Sequence, residues 1–314
     1  MIQKAAFTPA PAKPPSSGGS TPFRFDPRRG DASFTLDDLD GAAAFAEPGR
    51  WNYFTILFIR EGRGWLAAEA LRHRYDGPAL LFFNPYQTFH LIREAPHAGT
   101  AIRFHANFFC LEAHHEAVGC NGVLFNDIYG LPLVKLPGDA DVAEVAGLLE
   151  SMAREREGGG LASPELLISY LKVLLIKATR LKLDQQGEGI WFPGHGEAHP
   201  SVARRFQHLV EEHYRALHRP HAYAALLEIT PKRLGKLVKE HFHKTPTELI
   251  RERLLKEGKW QLLHTHRPVR EIAASLGFDD EFYFSRLFRR AVGASPSAFR
   301  EYERLIRPGG NASM

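Results

Sequence analysis

Cysteine is nearly absent. Cys110 and Cys120 are the only two in 314 residues, too few for a disulfide framework, so a reducing cytoplasmic setting is expected. No run of eighteen apolar residues occurs, which leaves no expected transmembrane helix and no membrane partner. The first twenty residues are rich in Pro, Ala, Ser and Gly and lack the apolar core of a secretory signal. Residues 1–22 therefore read as a disordered tail. Between Trp51 and Val134 there is no His-x-His, the usual start of a metal centre in β-barrel enzymes. No enzymatic activity, catalytic residue or cofactor is assigned.

What is present is ordinary in amount and uneven in placement. Hydrophobic residues make up 44% and charged residues 24%, as in globular proteins long enough for two domains. The net charge of +4 conceals a split. Residues 200–314 carry 21 Lys/Arg against 13 Asp/Glu, net +8, and residues 1–199 carry 19 against 23, net −4. A basic C-terminal third beside a mildly acidic remainder suggests a polyanionic partner for one domain only.

The hydrophobic period divides the chain in the same way. Tyr53–Arg60, Trp65–Ala67, Ala79–Phe83, Gln87–Arg93 and Thr100–His105 read as short strands. Turns at Glu61–Gly64 and Asp76–Pro78 separate the first three. Many short strands at this spacing predict a small β-barrel or jelly roll. Beyond Pro137, Asp141–Arg156 and Pro164–Leu183 have helical spacing. Leu166, Leu167, Tyr170, Leu171, Leu174 and Leu175 form an apolar stripe, for packing on the barrel or for a dimer interface. Residues 184–200 lack any period and serve as the expected linker. From Ser201 onward the pattern is helical. Thr230-Pro231, Asp279-Asp280 and Ser295-Pro296 offer starts, and Thr245-Pro-Thr-Glu248 is a capping box. The predicted domains are thus 23–183, 201–305 and a short tail 306–314.

Inside 201–305 lies a repeat. Leu234, Lys236, Leu237 and Thr245-Pro246 recur fifty residues later as Phe284, Arg286, Leu287 and Ser295-Pro296. Each copy reads as a short helix, a tight turn and a second amphipathic helix. That is a helix-turn-helix, whose second helix can lie in a DNA major groove. Leu234, Leu237, Val238, Phe284, Leu287 and Phe288 are the expected inward faces. Lys232, Arg233, Gly235, Lys236, Glu281, Phe282, Ser285 and Arg286 are then outward, and Lys239, Arg289 and Arg290 lie further along, toward phosphates.

The run Arg270–Arg300 (REIAASLGFDDEFYFSRLFRRAVGASPSAFR) resembles the signature of AraC/XylS-type regulators. The resemblance covers roughly 200–305, and implies a two-unit DNA-binding domain with a long helix, about Pro246–Leu263, joining the units. It places base-facing roles on Lys232, Gly235, Lys236, Glu281, Phe282, Ser285 and Arg286. Lys236 and Arg286 are the leading candidates, since long cations donate to guanine N7 and O6.

Residues 50–136 resemble, more loosely, the cupin-like sensor domain that often precedes this DNA-binding domain. Glu61–Trp65, Leu81–Pro85 with His90, and Ile102–Phe109 carry the likeness. The expected fold class is α+β multidomain: a cupin-like β-barrel with flanking helices, then an all-α domain with two helix-turn-helix units. A small-molecule pocket is predicted from Trp51, Tyr53, Trp65, Phe83, His90 and Arg103. An alternative is a metal- or thiol-responsive regulator using His90, His105, Cys110, His114, His115 and Cys120. The implied partners are double-stranded DNA, a second copy of the chain, a small effector and RNA polymerase.

Overall fold

The computed structural model describes residues 25–39, 45–69, 71–111, 123–125, 127–186 and 201–306. The expected tail 1–22, the expected tail 306–314 apart from Ile306, and most of the expected linker lie outside them; Ile306 belongs to the last described helix.

The N-terminal domain is β-rich. Its strands are β1 (Phe34–Asp38), β2 (Gly49–Arg50), β3 (Phe54–Glu61), β4 (Arg63–Ala68), β5 (Leu71–Asp76), β6 (Ala79–Phe83), β7 (Thr88–Arg93), β8 (Ala98–Phe104) and β9 (Leu133–Lys135). They form two antiparallel sheets, ordered β1-β8-β3-β6-β9 and β2-β7-β4-β5. β1, β2, β5 and β9 lie beyond the predicted strand set. They are the outer edges of the two sheets, β1 and β9 of the larger and β2 and β5 of the smaller. β2 and β9 are only two and three residues long, and β1 and β5 carry the charged residues Asp37, Asp38, Arg72, Arg74 and Asp76.

Period-two alternation sorts the side chains of the larger sheet. Leu57, Ile59, Leu81, Phe83 and Ala101 face the smaller sheet and meet Leu66, Ala68, Tyr75, Phe89 and Leu91. Ile56, Phe58, Leu80, Phe82, Ile102 and Phe104 face the other way. They are covered by α1 (Asp139–Gly158), through Val145, Leu149 and Met152, and by α2 (Ser163–Gln186), through Leu167, Leu171, Leu174 and Leu175. Burial on both faces explains why β3 and β6 read as unbroken apolar runs. The stripe on α2 therefore packs largely inward, leaving Leu166 and Val173 exposed. α2 continues to Gln186, past the expected start of the linker.

The C-terminal domain is helical: α3 (Val202–His213), α4 (Pro220–Leu226), α5 (Pro231–Phe242), α6 (Pro246–His264), α7 (Val269–Ser275), α8 (Glu281–Val292) and α9 (Pro296–Ile306). The capping signals act as predicted. Thr230 Oγ1 accepts the Arg233 N–H, and Asp280 Oδ1 accepts that of Phe282. At α6 the capping box is closed both ways, Glu248 N–H to Thr245 Oγ1 (3.3 Å) and Thr245 N–H to Glu248 Oε2 (2.7 Å). Such caps hold short helices that propensity alone would leave marginal.

Candidate nucleic-acid interface

The two helix-turn-helix units share one turn. In the first, the Ile229 N–H donates to the Ala224 carbonyl, and in the second the Phe278 N–H donates to that of Ala273, both at 3.0 Å. The residue before each donor is left-handed: Glu228 at φ 56° and Gly277 at φ 81°. The second helices then bury matching faces. Leu234 and Val238 on α5, and Phe284 and Phe288 on α8, are fully buried in one common core. α6 runs between the units, and its Gly258 gives Phe284 room. A Cβ at Gly258 would stand 3.2 Å from the Phe284 ring.

The predicted interface residues lie on the opposite faces. Lys232, Arg233, Lys236 and Lys239 are exposed on α5, and Phe282, Arg286, Arg289 and Arg290 on α8; Gly235, Glu281 and Ser285 are half-buried. The two leading candidates are each paired within their own unit. Lys236 Nζ is 3.8 Å from Glu240, and Arg286 Nη2 is 3.6 Å from Asp280 with its guanidinium 6.0 Å from the Tyr283 ring centre. Pairs this exposed hold little energy and yield to a phosphate or a base edge. Tyr283, half exposed beside Arg286 and 5.9 Å from the Phe278 ring, is not among the predicted interface residues.

Gly235 stands in the middle of α5 with nothing within 4 Å of an added Cβ. Gly235→Ala should therefore stabilise the domain by about 1 kcal/mol, because Ala lowers the backbone entropy lost on helix formation. Thermal unfolding checks this, and an unchanged or lower Tm would mean that the site is not open.

The N-terminal domain touches both second helices at their matching ends. α5 and α8 each end in a left-handed residue, His243 and Gly293. The His243 ring lies 5.2 Å from the His73 ring on β5. Arg50 Nη2 on β2 donates to the Arg290 carbonyl at 3.0 Å. Burial, then the neighbouring His243, hold His73 below the usual imidazole range. A third contact comes from the segment before β9. Asp127 Oδ1 accepts the N–H groups of Tyr129 and Gly130, forming a turn that presents Tyr129. Its hydroxyl donates to Glu211 on α3 (2.8 Å), and its ring meets Phe242 at 5.6 Å. Beside it, Lys244 Nζ donates to the Ile128 carbonyl (2.9 Å) and to Glu252 (2.6 Å). Burial raises the Glu252 carboxyl to about 7 against the pull of Lys244.

The proposed pocket residues do not converge. Trp51, Tyr53 and Phe83 lie inside the space between the sheets. Arg103, also facing in, is bound to Asp37 at 2.6 Å and to Thr35 at 3.1 Å. Trp65 and His90 sit on the outer face of the smaller sheet. Trp65 donates to Glu94, with the Arg72 guanidinium 5.0 Å from its ring centre. The reason is the strand period. Trp65 alternates with inward Leu66, and His90 with inward Phe89 and Leu91. The interior itself is filled by aromatic contacts, with the Phe83 and Phe89 rings stacked at 3.6 Å and Trp51 at 4.7 Å from Phe89.

Of the metal candidates, His114, His115 and Cys120 lie outside the described residues. His105 is buried against Phe25, 4.4 Å between ring centres, while His90 faces outward on another sheet. Among the described residues no group of three or more His, Cys, Asp or Glu could hold a metal, and nothing favours the metal- or thiol-responsive alternative. Among them, too, no helix is long and apolar enough to cross a membrane.

Against known proteins, the family described as "Helix-turn-helix domain" matches residues 223–302, from α4 through α9. The arabinose operon regulatory protein of Escherichia coli (strain K12) is 24% identical over 164 residues, 52% of this chain and 53% of that protein. The C-terminal domain is an AraC-type helix-turn-helix domain. The raffinose operon transcriptional regulatory protein of Pediococcus pentosaceus is 35% identical over 75 residues, 24% of this chain and 27% of its own length. In its match to the arabinose regulator the chain spans about half the length of that relative. A solved structure of ToxT from Vibrio cholerae O395 aligns over 86% of this chain and 98% of its own, at 12% identity and a TM-score of 0.37. Within this domain, α5 and α8 are the second helices of the two helix-turn-helix units.

Proposed function

We propose that this chain is a sequence-specific transcription regulator. Its AraC-type domain reads DNA through α5 and α8, and its β-rich domain senses a small molecule and pairs with a second copy. One observation carries the reading. Two helices in matching surroundings bury Leu234/Val238 and Phe284/Phe288 in a single core and hold Lys236 and Arg286 in solvent. A continuous core between the units fixes their separation, as needed for adjacent major grooves about 34 Å apart. Lys239, Arg289 and Arg290, further along the same helices, suit phosphates, which position the protein without reading sequence. An effector acts in this reading by favouring one placement of the DNA-binding domain over another, which shifts affinity for paired half-sites or contact with RNA polymerase.

The test is selection of bound sequences from a random duplex pool by the full chain at two salt concentrations. The expected result is a motif in two blocks about ten base pairs apart. Salt-sensitive binding with no enriched motif would reduce the domain to a phosphate binder and end the regulator reading.

A further inference from the structure

The last helix belongs to both domains. α9 buries Phe299, Glu303 and Ile306, spaced four and three residues apart along one face. Phe299 lies in the helical core, 5.4 Å from the Phe288 ring of α8. Ile306 lies in the other core. It is 1% exposed and joins the cluster of Phe25, Tyr53, Leu57, Phe83 and Phe89 that fills the space between the two sheets. The exchange is reciprocal, since Tyr86, on the turn between β6 and β7, enters the core of the helical domain and packs its ring 5.0 Å from Phe299.

Polar groups lock the seat. Tyr86 donates its hydroxyl to the buried Glu303 carboxylate. The Tyr302 hydroxyl donates to the Phe25 carbonyl at 2.7 Å. That carbonyl also accepts from Asn52 Nδ2 at 3.0 Å, while Asn52 Oδ1 accepts the Phe25 N–H. Asn107 Nδ2 donates to the Ile306 carbonyl in the last described turn of α9. A helix whose last described turn takes a hydrogen bond from another domain, and that places Ile306 inside that domain, is held as a bound peptide would be.

We propose that the last turn of α9 is a built-in plug of the β-domain. Ile306 occupies the end of the space between the sheets, so that a small apolar molecule lodged there and the docked second helix-turn-helix unit exclude one another. Occupancy of the β-domain would then reach α8 through α9, by loss of the Ile306 seat and loosening of the Phe299–Phe288 contact, with no change needed in α8 itself. The regulatory meaning rests on the DNA-binding reading above. The plug itself does not, and its test uses no DNA.

The full chain and its Ile306→Asp variant are compared for binding of 1-anilinonaphthalene-8-sulfonate and for backbone hydrogen exchange. A carboxylate placed among Phe25, Leu57 and Phe83 loses its hydration, with Arg103 already bound to Asp37, and is expected to leave the seat. With secondary structure unchanged by circular dichroism, the variant should bind the dye at least about tenfold more tightly. Exchange over 296–306 should rise at least about tenfold while α5 keeps its protection. Saturating the unmodified chain with dye should also raise exchange over 296–306. If Ile306→Asp unfolds the chain, Ile306→Ala and Tyr302→Phe serve in its place with the same signs, and Ile306→Leu should behave as the unmodified protein. Equal dye affinity in two folded forms, or unchanged exchange in α9, would overturn the plug even if the chain selects a DNA motif.

Discussion

In the Gly277→Ala variant the second helix-turn-helix unit should lose its packing. Two effects add at this residue. Its φ of 81° is left-handed, which costs an L-residue about 1–2 kcal/mol. The added Cβ would stand 1.8 Å from the Arg215 carbonyl oxygen and 3.1 Å from His218 Nε2. Neither neighbour yields cheaply. Arg215 offers backbone in the turn after α3, and His218 holds the Leu276 carbonyl at 2.8 Å. The first unit supplies the control, because Glu228 adopts the same left-handed turn with a side chain that reaches solvent. A left-handed backbone alone is thus tolerated, and the close approach makes the difference. We expect a loss of about 3 kcal/mol or more, and a Tm lower by roughly 10 °C or more for a domain of this size. A Tm within a degree or two of the unmodified chain would show that the Arg215 turn is not packed on Gly277.

Arg286→Ala should separate reading from holding. Arg286 is exposed on the outer face of α8, paired among the described residues with Asp280 across 3.6 Å and lying beside the Tyr283 ring. Its removal leaves the buried Phe284 and Phe288 in place, so the fold should persist. A long cation that donates twice to one guanine contributes about 1–3 kcal/mol of discrimination. The expected result is a loss of about 10- to 100-fold on the selected site, with relaxed preference in one block and little change on random DNA. Arg289→Ala should instead weaken binding to both, and reduce the slope of log affinity against log salt by about one. Lys236→Ala should relax the other block. If Arg286→Ala lowered specific and random binding equally, Arg286 would be a phosphate contact, and base readout on α8 would fall to Phe282 and Ser285.

Much of the helical domain is legible from local pattern. Caps at Thr230, Thr245 and Asp280, and the recurrence of Leu234 and Lys236 as Phe284 and Arg286, speak through neighbours three to five residues apart, and the same short range governs helix formation. The inward face of α5 and α8 followed from period alone. The close packing at Gly277 carries no such local signal, because the backbone it meets is the Arg215 carbonyl, far upstream in the turn after α3. The β-rich domain was legible in its central strands and not at its edges, because β2 and β9 are too short to show a period and β1 and β5 are interrupted by charged residues. Assigning Trp65 and His90 to a pocket with Trp51 and Tyr53 required knowing which face each strand turns inward. Trp65 is as aromatic as Trp51, and only the pairing of β4 with β5 and β7 sends it outward.

The contacts that join the domains left no such trace. Tyr302 meets Phe25, Tyr86 meets Glu303, and Ile306 enters the β-domain, across separations of up to 277 residues. Nothing periodic marks them, since a Tyr in a turn and an Ile late in a helix carry no signal in any window. Amino-acid order alone determined that this protein carries two helix-turn-helix units, where each begins, and which faces they bury. Those features arise from backbone capping and from the 3.6-residue period. Tertiary structure alone decided which aromatics fill the β-domain and that Ile306 of α9 enters it, because burial depends on what the remote chain brings to the same place.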